Sequence, residues 1–158
     1  MFKKTLLAAA LIGGMATSAN ATLVGSSSGP DDSFSISLSF LNTGPEDIVS
    51  MTVDGSSTAL SLVWDDIFSN GGTADDPTIG GIDTSVLTFS WLAGGFASGD
   101  TYFFSLDPDT PTDSSFGAIV LDLLGTTITA IYGDGSTFSG TLIDDLAPGM
   151  GLVLEPNT

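Results

Sequence analysis

The sequence predicts an all-β fold: a single-domain antiparallel β-sandwich, jelly-roll or immunoglobulin-like, with about 8–9 strands. Three observations predict it. Phe34-Ser35-Ile36-Ser37-Leu38-Ser39-Phe40 alternates apolar and small polar residues without a fault, the period of a strand with one buried face. Short apolar runs are separated by turn-forming groups, among them Asp54-Gly55-Ser56-Ser57, Asn70-Gly71-Gly72, Gly94-Gly95, Ser98-Gly99-Asp100 and Gly133-Asp134-Gly135. Beyond residue 21 no window is rich in alanine or in Lys/Glu pairs, so little helix is expected beyond a turn near Asp66 or Val120.

The elements follow in order. Lys3 and Lys4 precede the apolar run Leu6 to Ile12 and the small-residue end Ala19-Asn20-Ala21. Charged start, short apolar centre and A-x-A end form a secretory signal over residues 1–21. Its apolar run is well short of the roughly 20 residues a spanning helix needs. Residues 22–158 are then one domain. After Phe34–Phe40, strands are expected at Ile48–Val53, Ala59–Trp64, Val86–Leu92, Thr101–Leu106, Ala118–Leu124, Thr126–Tyr132, Ser136–Ile143 and Gly151–Leu154. Thr126 to Leu142 reads as a hairpin with Ile128, Ala130 and Tyr132 on one arm and Phe138, Gly140 and Leu142 on the other. Ser69 to Asp83 is the longest expected loop.

Charge narrows the function. The chain holds 19 Asp and Glu against two Lys and Arg, with no His and no Cys. All the acids lie beyond Ala21 and both lysines before it, so the exported chain is a polyanion. Nucleic acid and anionic lipid are excluded as partners, since both need clustered cations. Uptake of cations is favoured instead. With no Cys there is neither a disulfide nor a lipobox thiol for a lipid anchor. Triads with His or Cys and His-ligated metal catalysis are excluded, and the chain is read as a non-enzyme. The remaining catalytic alternative is a glycosidase with two opposed carboxylates.

Asp107-Pro108-Asp109-Thr110-Pro111-Thr112-Asp113 places carboxylates at positions 1, 3 and 7 of a tight loop. Hard cations such as Ca2+ need several oxygens from one compact segment, which makes Asp107, Asp109 and Asp113 the candidate metal ligands. The loop is no EF-hand: Thr112 stands where Gly is needed and Ala118 where Glu is needed. The adjacent pairs Asp31-Asp32, Asp65-Asp66, Asp75-Asp76 and Asp144-Asp145 would gain from a shared cation if two such loops converged in space. Ile82-Asp83-Thr84-Ser85 departs from the D-[TS]-G turn of aspartic proteases at Ser85 and reads as a strand-entry turn. Among the aromatics, Phe34, Phe40, Phe89 and Phe104 are core by alternation. Trp64, beside Asp65 and Asp66, and Trp91, beside Gly94-Gly95, are the candidates for an exposed sugar-stacking platform.

The runs Gly99-Asp100-Thr101-Tyr102-Phe103-Phe104-Ser105-Leu106-Asp107-Pro108-Asp109, Gly125-Thr126-Thr127-Ile128-Thr129-Ala130 and Gly133-Asp134-Gly135-Ser136-Thr137-Phe138-Ser139-Gly140 resemble the secreted β-rich domains of bacterial surface proteins with PEP-CTERM-type sorting tails. The resemblance covers about the C-terminal half. It implies a matrix or cell-surface component of exopolysaccharide-producing, biofilm-forming bacteria, without known catalysis. Leu154-Glu155-Pro156-Asn157-Thr158 echoes the motif that opens those tails. The sequence ends where their membrane helix and basic cluster follow, so the expected product is secreted or periplasmic and spans no membrane.

The expectation is therefore an exported, non-enzymatic matrix or cell-surface protein that binds divalent cations and associates with polysaccharide. Two alternatives stay open. One is a carbohydrate-binding module or carboxylate glycosidase. The other is a cation-dependent fibre subunit self-associating through edge strands, which carry no Lys to block them.

Overall fold

A computed structural model describes residues 22–28, 35–113, 118–145 and 151–157. The expected leader, the Asp31-Asp32 pair and Phe34 lie outside the described residues. The strands are β1 (Leu23–Ser28), β2 (Ile36–Asn42), β3 (Ile48–Asp54), β4 (Val63–Gly72), β5 (Thr78–Gly80), β6 (Val86–Ser90), β7 (Thr101–Asp109), β8 (Thr127–Tyr132), β9 (Thr137–Asp144) and β10 (Gly151–Pro156). A short 3-10 helix, Val120–Leu123, precedes β8. Among the described residues no helix is long and apolar enough to cross a membrane.

All the strands pair antiparallel in one sheet of order β4-β7-β2-β1-β10-β9-β8-β3-β6-β5, curled into a half-barrel. The all-β, antiparallel expectation therefore holds, but one continuous ladder of ten strands replaces the two separate sheets expected. Connectivity forces the curl. β4 and β5 are at opposite ends of the ladder yet are joined by residues 73–77 alone. Laid flat, nine steps of about 4.8 Å would set them ~43 Å apart. A linker of this length reaches only about 20 Å.

Alternation then decides what fills the concave side. Ile36, Leu38 and Phe40 of β2, Tyr102, Phe104 and Leu106 of β7, and Leu87 and Phe89 of β6 are buried. Phe89 packs tilted against Phe104 with ring centroids 4.7 Å apart and meets Tyr102 edge-on at 5.6 Å. β6 and β7 stand near opposite ends of the ladder, so these rings pack across the interior. Asn42 is wholly buried, with each side-chain group paired: Nδ2 donates to the carbonyls of Glu46 and Phe96, and Oδ1 accepts from the Gly44 N–H.

The hairpin forms with the expected arms, Ile128 opposite Gly140 and Ala130 opposite Phe138. The expected strand at Ala118–Leu124 is instead the 3-10 helix. Ala59–Trp64 is mostly turn, and the strand starts only at Val63 and runs on through Gly72. β4 and β5 thus occupy much of the expected Ser69–Asp83 loop, and β1 is a strand the alternation signal missed.

Candidate functional site

The curl brings the ladder's two ends together at one point. The Trp64 N–H at the start of β4 donates to the Thr84 carbonyl at 2.9 Å, and the Asp83 N–H donates to the Trp64 carbonyl at 2.8 Å. Trp64 is completely buried. Its indole N–H donates to the carbonyls of Val53, on β3, and Ser85, just before β6. Trp64 thus ties the first strand of the ladder to the far end. Gly55 makes room for it: a Cβ there would lie 2.6 Å from the indole ring. Asp83 takes a left-handed φ of 62°, and Gly81 starts the same turn at φ 87°, where a Cβ would collide with the Val86 carbonyl.

Beside this closure lies a pocket of about 410 Å³ lined by Val63, Asp65, Asp83, Asp109 and the Thr110-Pro111-Thr112-Asp113 turn. β4 supplies Asp65 at a bulge in its pairing with β7, and Asp109 closes the β7 ladder opposite Val63. Asp65 and Asp83 thus reach the same pocket from β4 and from the 81–85 turn. Asp109 is only 4% exposed, and its Oδ1 has no hydrogen-bond partner among the described residues.

The local electrostatics are one-signed. Lost hydration, the contact with Asp83 and the charges of Asp109, Asp83 and Asp66 raise the Asp65 pKa. Burial raises Asp109, helped by the Asp113 charge. Burial also raises Asp107, with contributions from Asp109, Asp65 and Asp66. Each of these groups binds a proton more readily than a free carboxylate. Such a site can take up a cation or hold a proton.

Of the three acids read from the loop, Asp109 and Asp113 share the pocket. Asp107 does not line it: it is half-buried on β7 opposite Asp66, with a buried, unpartnered Oδ1. Among the described residues no three acids form a ready-made metal cage. Asp65 comes from one of the acid pairs. Asp83, read as a turn residue, is the acid sequence reasoning missed, and its D-T-S turn was the available signal. Trp64 and Trp91 do not form a sugar platform. Trp64 is buried, and Trp91 is 7% exposed, packed edge-on to Tyr102 with its indole N–H on the Asp75 carbonyl.

Neither protein-family models, nor curated proteins, nor solved structures yield a match to this chain.

Proposed function

We propose that this is an exported, non-enzymatic component of a bacterial matrix or cell surface, whose acidic loops take up divalent cations and which associates with polysaccharide. The observation that carries the reading is the gathering of Asp65, Asp83, Asp109 and Asp113 around one pocket in a chain with no Lys or Arg beyond Lys4. Such charge has to be balanced from outside the molecule. The likeness of the C-terminal half to PEP-CTERM-type surface domains supports the location. Phe89 meeting Phe104 across the core supports reading the curled sheet as a sandwich-like body.

The convex surface supports the polysaccharide part. Thr88, Thr52, Thr129 and Ser139 are register partners across β6, β3, β8 and β9, a row of half-buried hydroxyls. A cation held by carboxylates could bridge such a surface to an anionic polymer. The test is co-sedimentation of the purified protein with an anionic polysaccharide, alginate or polygalacturonate, in millimolar calcium and in EDTA. Calcium-dependent co-sedimentation is the expected result. Equal recovery in both conditions overturns the reading.

A further inference from the structure

The pocket does more than collect charge, because it lies where the sheet closes on itself. Asp65 of β4 and Asp83 of the 81–85 turn line it from the two sides of the closure. A third, Asp109, is 4% exposed, lines the same pocket and keeps an oxygen without a partner. A buried carboxylate left in that state is costly. The chain offers no internal remedy, since its cationic side chains stop at Lys4. The pocket's polar side chains are the carboxylates of Asp65, Asp83, Asp109 and Asp113 and the hydroxyls of Thr110 and Thr112. This oxygen-only set, without nitrogen or sulfur, selects a hard cation. Calcium fits it better than magnesium, because calcium accepts more oxygens in irregular geometry while magnesium demands a near-ideal octahedron.

We propose that one calcium ion binds in this pocket, takes Asp65, Asp83, Asp109 and Asp113 as ligands, and so latches β4 to the 81–85 turn. The inference rests on the proposed cation-binding function and deepens it, naming where the ion sits and what it holds. Side chains must move to form the site, because no cage of three acids is preformed among the described residues. An ion here would bridge the ends of a sheet that touch through the Trp64–Thr84 pairing. Calcium would therefore act as a stabiliser of closure, a ligand bound by the folded state alone.

Two readouts test it. The first is the thermal midpoint of the purified protein in EDTA and in calcium. The second is terbium luminescence excited through tryptophan, for which Trp64, next in sequence to Asp65, is the donor. With calcium a hundredfold above its Kd, the midpoint should rise by about 5–10 °C, and terbium emission should appear and be competed away by calcium. Asp83→Asn and Asp109→Asn should abolish both responses, and the exposed Asp113→Asn should weaken them at least tenfold. Asp107→Asn and Asp145→Asn should leave them intact. Each seam variant removes a like charge, so its midpoint in EDTA should equal or exceed that of the parent protein. A parent protein that responds while Asp83→Asn and Asp109→Asn respond equally overturns the latch and leaves the broader cation reading standing. No calcium response in the parent protein overturns both.

Discussion

The acidic seam and the β8–β9 hairpin use the same residue, aspartate, with opposite electrostatic results. At the hairpin turn, Asp134 accepts bonds from the Ser136 N–H at 2.8 Å and the Ser136 hydroxyl at 2.6 Å. Those donors hold its pKa below the ordinary carboxylate value of 3.8. At the seam, Asp65, Asp107 and Asp109 are raised by lost hydration and by the charges of neighbouring aspartates. The difference lies in what faces the carboxylate. Where the backbone turns so that N–H and O–H groups point at the charge, the chain satisfies it locally. Where the neighbours are carboxylates and threonine hydroxyls, as in the pocket, the charge is left poorly compensated and the pKa rises.

The largest expected break in this comparison is at the residue that holds the seam shut. Trp64→Ala should cost about 3–5 kcal/mol, the usual loss for a fully buried tryptophan, because it removes both the ring and the indole bonds to Val53 and Ser85. Urea denaturation should show a lower midpoint. Trp64→Phe keeps most of the packing but loses both indole bonds, the Ser85 carbonyl retaining the Gly55 N–H, and should cost about 1 kcal/mol. If Trp64→Ala moves the midpoint by less than a typical surface substitution, the seam does not close the sheet.

These two regions also differ in how far the sequence discloses them. The hairpin is legible residue by residue, because Ile128 and Ala130 alternate with Thr127 and Thr129 and Gly133-Asp134-Gly135 marks the turn. In the structure Gly135 takes the positive φ of 85°, and Ile128, Ala130, Tyr132, Phe138 and Leu142 face the core. β4 is illegible for a physical reason. It is an edge strand, and Asp65, Asp66, Asn70, Gly71 and Gly72 are residues that keep an edge from pairing further, which makes them look like a loop. β1 hides behind Gly25 and Ser27, small residues on its inward side. Of the site, Asp109 and Asp113 follow from local spacing. Asp83 joins them only because the sheet curls: its D-T-S run marks a turn, but no local pattern sets that turn beside Asp109. The burial of Trp64 is equally non-local, since its acceptors lie on other segments.

A pH series sharpens the comparison further. Raised seam acids bind protons more tightly folded than unfolded, so the folded state gains stability as pH falls through their native pKa values towards the ordinary 3.8. Asp134 runs the other way, contributing stability above 3.8 that is lost as pH falls through its lowered value. In EDTA the thermal midpoint should therefore climb as pH drops from neutrality towards about 4 and turn down only below it. Relief of the overall negative charge acts in the same direction. An Asp107→Asn, Asp109→Asn double variant separates the two, because it should flatten the climb while leaving most of the net charge. In calcium the climb should shrink or reverse, since protons and the ion compete for the same oxygens. A midpoint that falls steadily from pH 7 to 5 in EDTA would show that the seam acids carry no unfavourable charge.

The smallest effect separates the two kinds of aspartate most directly. Asp134→Asn keeps an acceptor oxygen for Ser136 but removes the charge that strengthens both bonds. It should lower the midpoint by about one or two degrees, equally in calcium and in EDTA. Asp109→Asn should do the opposite in EDTA, raising the midpoint by a similar amount by removing a buried, unpartnered charge, and should then fail to gain from calcium. The same chemical change, carboxylate to amide, would thus carry opposite signs at two positions of one sheet. If both variants shift the midpoint the same way in EDTA, the Asp109 carboxylate has a partner as good as Ser136, and the charge imbalance assigned to the seam is not there.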